Sequence, residues 1–216
     1  MTIAPASAGP RVIRRTWPIA RENAAHVSAM TLRLHLAAAP RIESGAGEEL
    51  ALTTRDAALL AWLAVEGPTS RDRLCELLWP ASTAEQARAT LRQRLFRLRK
   101  ALGSDVAVGS PLLRLAPGVS HDLGATGELL GDLALPDAPA FESWLGEQRA
   151  TRQGAEVEAL REQAQALEAG GDPTAALALA QRLLRLEPLS EAAHQRVMRL
   201  HYLLGDRAAA LLAFDR

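Results

Sequence analysis

Cysteine and lysine are scarce in this chain of 216 residues, which contains one of each, Cys75 and Lys100. A single cysteine excludes an intrachain disulfide and a cysteine-based metal site, and we expect a reducing, cytoplasmic location. Cys75 lies in the stretch RDRLCELLW. The helical apolar pattern of that stretch predicts a small buried hydrophobic side chain rather than a reactive thiol.

Aromatic residues make up only 4% of the chain, so the core must be built from leucine, alanine and valine, which favours helices over a β-sandwich. No apolar run approaches the ~20 residues that a membrane-spanning helix needs. The N-terminal region has proline, glycine and charged residues where a signal peptide would have an apolar stretch. We therefore expect a flexible N-terminal extension over residues 1–29 and no contact with a membrane.

Net charge is zero overall, with 25 basic and 25 acidic side chains, but the two halves differ. Residues 1–125 hold 16 basic and 11 acidic side chains, whereas residues 126–216 hold 9 basic and 14 acidic ones. This asymmetry of +5 against −5 predicts that the two halves have different partners.

Strand and helix patterns follow one another between residues 30 and 115. The stretch MTLRLHLA at 30–37 alternates apolar and polar residues as a strand does, and a turn at Gly45 and Gly47 precedes a second short strand. Three helical patterns follow, with predicted starts at Thr53 or Thr54, at Ser70, and at Ser82 or Thr83. Two short apolar runs at 106–108 and 112–115 then predict a hairpin. Strands, three helices and a hairpin are the layout of a winged helix.

From about Pro136 the chain is helical, and one pattern repeats after 34 residues. Gly171-Asp172 recurs as Gly205-Asp206, and Ala176 recurs as Ala210. A 34-residue period of paired helices is typical of tetratricopeptide repeats. We expect each glycine to end a helix with positive φ and each aspartate to cap the next helix.

The stretch ARATLRQRLFRLRK at 87–100 carries five arginines and one lysine, with no acid. On a helix, Leu91, Leu95, Leu98 and Leu102 fall in one apolar stripe roughly 60° wide. Arg88 and Arg99 lie close to this stripe. We therefore predict structural ion pairs for both of them, with Asp56, Asp72 and Glu76 of the neighbouring helices as candidate acids.

The other side of this helix predicts a surface that binds DNA, because like charges concentrated on one face need an external polyanion. We predict that Arg92 and Arg97 contact DNA and that Arg94 and Lys100 mainly contact phosphate. Gln93 can read an adenine edge and Phe96 can press on a thymine methyl group. We add Arg114, on the predicted hairpin, to the DNA-binding set.

Several motifs together resemble those of the Streptomyces antibiotic regulatory protein family of bacterial transcriptional activators. They are SRDRLCELLWP, EQARATLRQRLFRLRKALG, LPDAPAFESWL and the helical stretch from Gly171 to Arg216. The resemblance runs from about residue 30 to the end of the chain, in the same order of elements. Family members usually carry a small residue in place of Arg94, and often serine or arginine in place of Phe96, so this chain departs from the family at both positions.

The resemblance implies a recognition helix at 83–102 that enters the major groove and a wing at 106–115 that lies on the backbone or minor groove. It places Arg92, Gln93 and Arg97 at DNA-facing positions. It also implies double-stranded DNA, with direct repeats near promoters, and RNA polymerase as partners, and it leaves open a homodimer on DNA. Many members of the family extend into further domains.

These observations define a fold class that is mainly α with a small β component: a winged helix-turn-helix domain followed by a tetratricopeptide-like helical repeat. We expect the DNA-binding domain at 30–123 and the bacterial transcriptional activator domain at 124–216. The last helix, which begins near Arg207 and has the apolar residues Leu211, Leu212 and Phe214, ends without a packing partner. We therefore expect that the chain is a fragment of a longer protein.

The two other function classes to consider are an enzyme and a protein-interaction scaffold. An enzyme is not expected, because the five histidines are scattered and no phosphate-binding loop or metal-ligand spacing is present, so we expect no cofactor and no metal. A protein-interaction scaffold that uses the repeats without binding DNA is the alternative to a transcriptional regulator.

Overall fold

Short strands and three helices alternate over residues 32–121 of the computed structural model, which describes residues 32–125 and 127–214 apart from the Phe214 side chain. The strands are β1 (Leu32–His35), β2 (Arg41–Glu43), β3 (Glu49–Ala51), β4 (Thr69–Ser70), β5 (Ala107–Val108), β6 (Leu112–Leu115) and β7 (Val119–His121). The helices are α1 (Thr54–Val65), α2 (Arg71–Leu78) and α3 (Ala84–Leu102). The N-terminal extension predicted for residues 1–29 lies outside the described residues.

Two small sheets flank the helices. The first has the strand order β3-β2-β1-β7, in which β1, β2 and β3 pair antiparallel and β7 pairs parallel with β1. The second has the order β4-β6-β5, and its β5–β6 pair is the predicted hairpin, with Val108 opposite Arg114. The strands β2, β4 and β7 were not predicted.

Each of the three helices begins at a capping residue that the sequence predicts. The side chains of Thr53, Ser70 and Thr83 accept hydrogen bonds from backbone N–H groups in the first turns of α1, α2 and α3. At Thr83 the cap is reciprocal, because the Gln86 side chain accepts from the Thr83 backbone N–H. The helix α3 ends at Gly103, whose φ of 69° is accessible to glycine with little strain.

Four helices form the second half: α4 (Pro139–Ala169), α5 (Pro173–Leu186), α6 (Glu191–Leu203) and α7 (Arg207–Phe214). The described chain is thus mainly helical, a winged helix-turn-helix unit followed by tetratricopeptide-like repeats, as predicted. The helix α4 has 31 residues and takes part in two cores. Its Val157 and Leu160 pack against Leu183 of α5, within the repeat unit.

The beginning of α4 belongs to the core of the winged helix. Phe141 is fully buried there, and Trp144 stacks at a tilt on Trp62 of α1 with ring centroids 4.8 Å apart. Trp144 also donates its indole N–H to the Glu66 carboxylate at 2.7 Å. The two halves are therefore joined by a packed aromatic contact and not by a linker alone.

The turns of the repeat have the geometry predicted from the 34-residue recurrence. Gly171 and Gly205 have φ of 82° and 81°. Asp172 accepts a hydrogen bond from the Ala175 N–H at 3.0 Å, and Asp206 accepts one from the Ala209 N–H at 2.9 Å. These four residues confirm that α4–α5 and α6–α7 are equivalent helix pairs.

Small residues lie where the repeat helices meet, as the same recurrence predicts. Ala176 and Ala180 of α5 are fully buried and pack against Val197 and Leu200 of α6. Ala210, the counterpart of Ala176 on α7, is only half-buried. Leu211 and Leu212 on the same helix are 68% and 64% exposed, so much of α7 is uncovered in this chain.

Candidate nucleic-acid interface

The apolar stripe of α3 packs on the winged-helix core and thereby decides which side of the helix faces outward. Ala87, Leu91, Leu98 and Leu102 are buried, and Leu95 is half-buried beside them. The stripe therefore has the phase that the leucine spacing predicts. Side chains on the opposite side face solvent.

Arg88 is one of three cations of α3 that pair with an acid of the same chain. Its Nε donates to Asp72 Oδ1 of α2 at 2.7 Å, and Asp72 is one of the acids that the sequence offers for this pair. The hydrogen bond from Arg88 lowers the pKa of the Asp72 carboxyl, and the same contact raises the pKa of the Arg88 guanidinium. Both side chains are largely exposed, so the pair holds α2 and α3 together at the surface.

Arg94 is placed differently from the prediction, which assigned it to the DNA-contacting face. Its Nη1 donates to Thr53 Oγ1 at 2.9 Å and to Asp56 Oδ1 at 3.1 Å, and its side chain is 24% exposed. Thr53 also donates its hydroxyl to Asp56 at 2.6 Å. The arginine thus ties α3 to the first turn of α1, because a buried carboxylate at that turn needs a cation.

Arg99 also differs in its partner from the sequence expectation. Its Nε lies 3.7 Å from Asp105 Oδ1, in the loop after α3, and not beside an acid of the first two helices. Both side chains are exposed, at 66% and 47%. The pair closes the C-terminal end of α3 onto the following loop and does not connect it to α1 or α2.

The remaining cations of α3, Arg92, Arg97 and Lys100, are exposed. Among the residues that the structure describes, none of the three has a carboxylate within 4.0 Å. Gln93 and Phe96 lie in the same outward stripe, and Phe96 is 65% exposed, which is unusual for a phenylalanine. The result is a face about two and a half turns long with cations, an amide and an aromatic ring.

The turn of the β5–β6 hairpin lies beside the first half of α3. Arg71, the first residue of α2, donates from Nη2 to the Gly109 carbonyl in that turn at 3.0 Å. A cleft of about 380 Å³ opens between the three elements, and its lining includes three arginines and one acid: Arg71, Arg88, Arg92 and Glu85, together with Leu91 and Ser110. Arg114, the predicted wing residue, is exposed on β6.

Arg71 is the residue of this region that sequence reasoning missed. Its position just after the Ser70 cap indicates only the start of a helix. Its hydrogen-bond partner in the hairpin turn, Gly109, is 38 positions away in the chain. A helix start facing a turn brings an arginine and backbone N–H groups together, which is favourable for an anion. No local pattern in the sequence reports that proximity.

The residues that the structure describes give little support to a reactive thiol, a metal site or a membrane-spanning helix. Cys75 is buried, and burial raises the pKa of its thiol, as expected for a core residue. Within residues 32–125 and 127–214, no group of three or more histidine, cysteine or acidic side chains is arranged to hold a metal. None of the described helices is both long and apolar enough to cross a membrane.

Comparison with known proteins finds a matching family model and a similar solved structure. Residues 123–216 match the family described as the bacterial transcriptional activator domain. Among solved structures, the chain is similar to EmbR of Mycobacterium tuberculosis in complex with a low-affinity phosphopeptide, with a TM-score of 0.62 and 22% sequence identity. That match covers 87% of this chain but only 59% of the EmbR chain. No curated protein sequence matches the chain significantly.

Proposed function

We propose that this chain is a sequence-specific DNA-binding transcriptional regulator of the Streptomyces antibiotic regulatory protein type, and that it acts as an activator. The match of residues 123–216 to the bacterial transcriptional activator domain supports the regulatory role. The observation that carries DNA binding is the division of cations on α3. Three of them pair with acids, whereas Arg92, Arg97 and Lys100 share an exposed face without a described acidic partner.

The dimensions of α3 support a major-groove complex, because a helix of ~10–12 Å diameter fits a groove about 12 Å wide. In this arrangement Arg92 and Arg97 donate to the O6 and N7 atoms of guanine, and Gln93 pairs with an adenine edge. Phe96 contacts a thymine methyl group and Lys100 contacts phosphate. Arg94 leaves the DNA-contacting set, since Asp56 and Thr53 already hold its guanidinium.

The hairpin β5–β6 acts as the wing. Arg114 on it reaches the backbone or minor groove, and Arg71, which lies beside the turn of the hairpin, contacts a phosphate. Residues 30–123 form the DNA-binding domain and residues 124–216 the activator domain, although Trp144 and Phe141 of the second are packed in the core of the first.

The repeat half serves a protein contact, because its net charge of −5 disfavours DNA. RNA polymerase is the partner that activation requires, and the protein acts in the cytoplasm. Two copies bind adjacent direct repeats. We expect half-sites that are about 10–10.5 base pairs apart, or a multiple of that distance, so that both recognition helices meet the same side of the duplex.

A genomic pull-down tests this function. The purified chain is incubated with sheared DNA of its source organism, and the retained fragments are sequenced. We expect enriched fragments that share one motif, repeated in direct orientation upstream of genes. The variant Arg199→Ala serves as a control for the loss of a charge outside α3. Arg199 pairs with Glu168 in the repeat half, so this variant should enrich the same fragments.

Activation is tested separately by transcription in vitro from an enriched promoter with RNA polymerase. We expect more transcript when the chain is present. If the chain retains no DNA above the bead background at low salt, it is not a DNA-binding regulator and the scaffold alternative holds. If it retains specific DNA but does not raise transcription, the activator role is wrong.

A further inference from the structure

A cleft of about 480 Å³ lies among α5, α6 and α7, on the repeat half and away from the candidate DNA interface. Its volume is in the range of ligand-binding pockets, about 300–1,000 Å³. The apolar part of its lining includes Leu184, Val197 and Leu212. Leu212 is 64% exposed although it borders a cleft, so the described chain leaves most of this leucine uncovered.

The polar lining of this cleft has one cation, Arg185, and three neutral or titratable groups, Gln181, His194 and His201. No acid is among the described residues that line it. This is unexpected in a half of the chain that carries 14 acids against 9 basic residues. The two other clefts described on the repeat half both include Glu156.

Arg185 differs from most arginines around it. Arg161, Arg182 and Arg196 each pair with a glutamate of a neighbouring helix. Arg185 is exposed at the cleft and has no carboxylate within 4.0 Å among the described residues. A guanidinium in this position is available to a carboxylate from outside, which it can bind through two parallel hydrogen bonds.

We propose that this cleft binds a segment of a partner protein in which leucine-like side chains alternate with carboxylates, such as the acidic amphipathic face of a helix. Apolar side chains of the segment would cover Leu212, Leu184 and Val197. Its carboxylates would meet the Arg185 guanidinium, with His201 beside it as a further hydrogen-bonding group, so the charge of Arg185 selects an acidic partner. This binding is separate from the proposed DNA contact and does not rest on it.

The test uses the whole chain and a pair of fluorescein-labelled peptides measured by fluorescence anisotropy. One peptide carries leucines and aspartates at i, i+3 and i+4 spacing, and in the other each aspartate is replaced by asparagine. We expect the acidic peptide to bind at least about tenfold more tightly, because only it satisfies Arg185. Equal affinity of the two peptides, or no binding of either, overturns the proposal.

Two pairs of matched variants locate the site. Arg185→Glu should weaken binding of the acidic peptide by about tenfold or more, whereas Arg207→Glu changes the net charge equally outside the cleft and should have little effect. Leu212→Ala should weaken binding, whereas Leu211→Ala should not, although both leucines are exposed on α7. All four side chains are exposed, so these variants are expected to keep the fold.

Equal losses within either pair overturn the assignment to this cleft, because they indicate a general charge effect or a general effect on α7. A second copy of the chain is the competing occupant. Sedimentation equilibrium distinguishes it: a dimer that Leu212→Ala dissociates, and that excludes the acidic peptide, would show that the cleft is a self-association surface and not a peptide site.

Discussion

Arginines in the repeat half and arginines on α3 differ in what they contact. In the repeat half, Arg161 bridges Glu158 and Glu187, while Arg196 and Arg199 share Glu168. Those pairs join neighbouring helices or turns, and they leave few unpaired cations that could bind a partner. On α3, by contrast, half of the cations are paired and the other half form an exposed face.

The number of arginines in a segment therefore does not measure its capacity to bind DNA. The segment 87–100 has six cations, and three of them, Arg88, Arg94 and Arg99, are engaged within the chain. Pairing in the folded chain separates cations that hold the structure from cations that are free for a ligand. Among the described residues of the repeat half, Arg185 and Arg207 are likewise exposed without a carboxylate within 4.0 Å.

The largest expected effect concerns the contact that joins the two halves. Phe141→Ala should lower the free energy of unfolding by about 3–5 kcal/mol, because the ring is fully buried against Trp144. Phe96→Ala, which removes the same ring from the exposed face of α3, should change it by less than about 0.5 kcal/mol. Chemical denaturation measures both, and similar costs would show that Phe96 is part of the core.

A smaller effect is expected for Arg94. Arg94→Ala should cost about 2 kcal/mol of stability, since it leaves the buried Asp56 carboxylate without its cation. The control is Arg97→Ala, three positions along the same helix, which should change stability by less than about 0.5 kcal/mol. Denaturant unfolding of the two variants measures both changes in stability. If Arg97→Ala were the more destabilising, the assignment of structural and free arginines would be reversed.

A comparable or smaller cost is expected for added bulk in the repeat. Ala176→Leu should destabilise the chain by about 1–3 kcal/mol, because Ala176 is fully buried where α5 packs on α6. Ala210→Leu, at the equivalent position of the half-buried α7, should cost less. Thermal unfolding of the two variants compares the equivalent positions, and a larger loss for Ala210→Leu would contradict the difference in burial between α5 and α7.

The smallest expected effect is the titration of the Arg88–Asp72 pair. Arg88 lowers the pKa of Asp72, so the pair stabilises the fold above the ordinary pKa of a carboxyl and loses this contribution as the pH falls through the lowered value. In Arg88→Ala the pKa of Asp72 should rise towards its ordinary value. NMR titration of the Asp72 carboxyl measures this change, and an unchanged pKa would mean that Arg88 does not hold Asp72 in solution.

Local patterns predicted the elements of the fold where the signal lies within one element. The caps at Thr53, Ser70 and Thr83 determine helix starts through bonds made inside the first turn, so they can be read from sequence. The strand β7 was missed because three residues without alternation carry no signal, and pairing with β1 is a contact between distant segments. The apolar period of α3 likewise predicted its buried side.

The candidate site was harder to predict, for the same physical reason. The spacing of leucines orients α3, but it does not report that Asp56 at the start of α1 lies beside Arg94. Nor does it report that Arg99 lies beside Asp105 of the following loop and not beside an acid of α2. Ion pairs depend on the tertiary arrangement, so the exposed set of cations could be defined only with the structure.

DNA binding by the unpaired cations of α3, and not by the paired ones, is tested most directly by the affinity of two double variants for a duplex. The duplex is selected by the pull-down, and affinity is measured by fluorescence anisotropy at fixed salt. Both Arg92→Ala/Arg97→Ala and Arg88→Ala/Arg99→Ala remove two positive charges from the same helix. We predict that the first loses about 1–3 kcal/mol of binding free energy per arginine that contacts a base, and that the second loses much less. Equal losses in the two folded variants, or an unchanged affinity of Arg92→Ala/Arg97→Ala, would contradict the account.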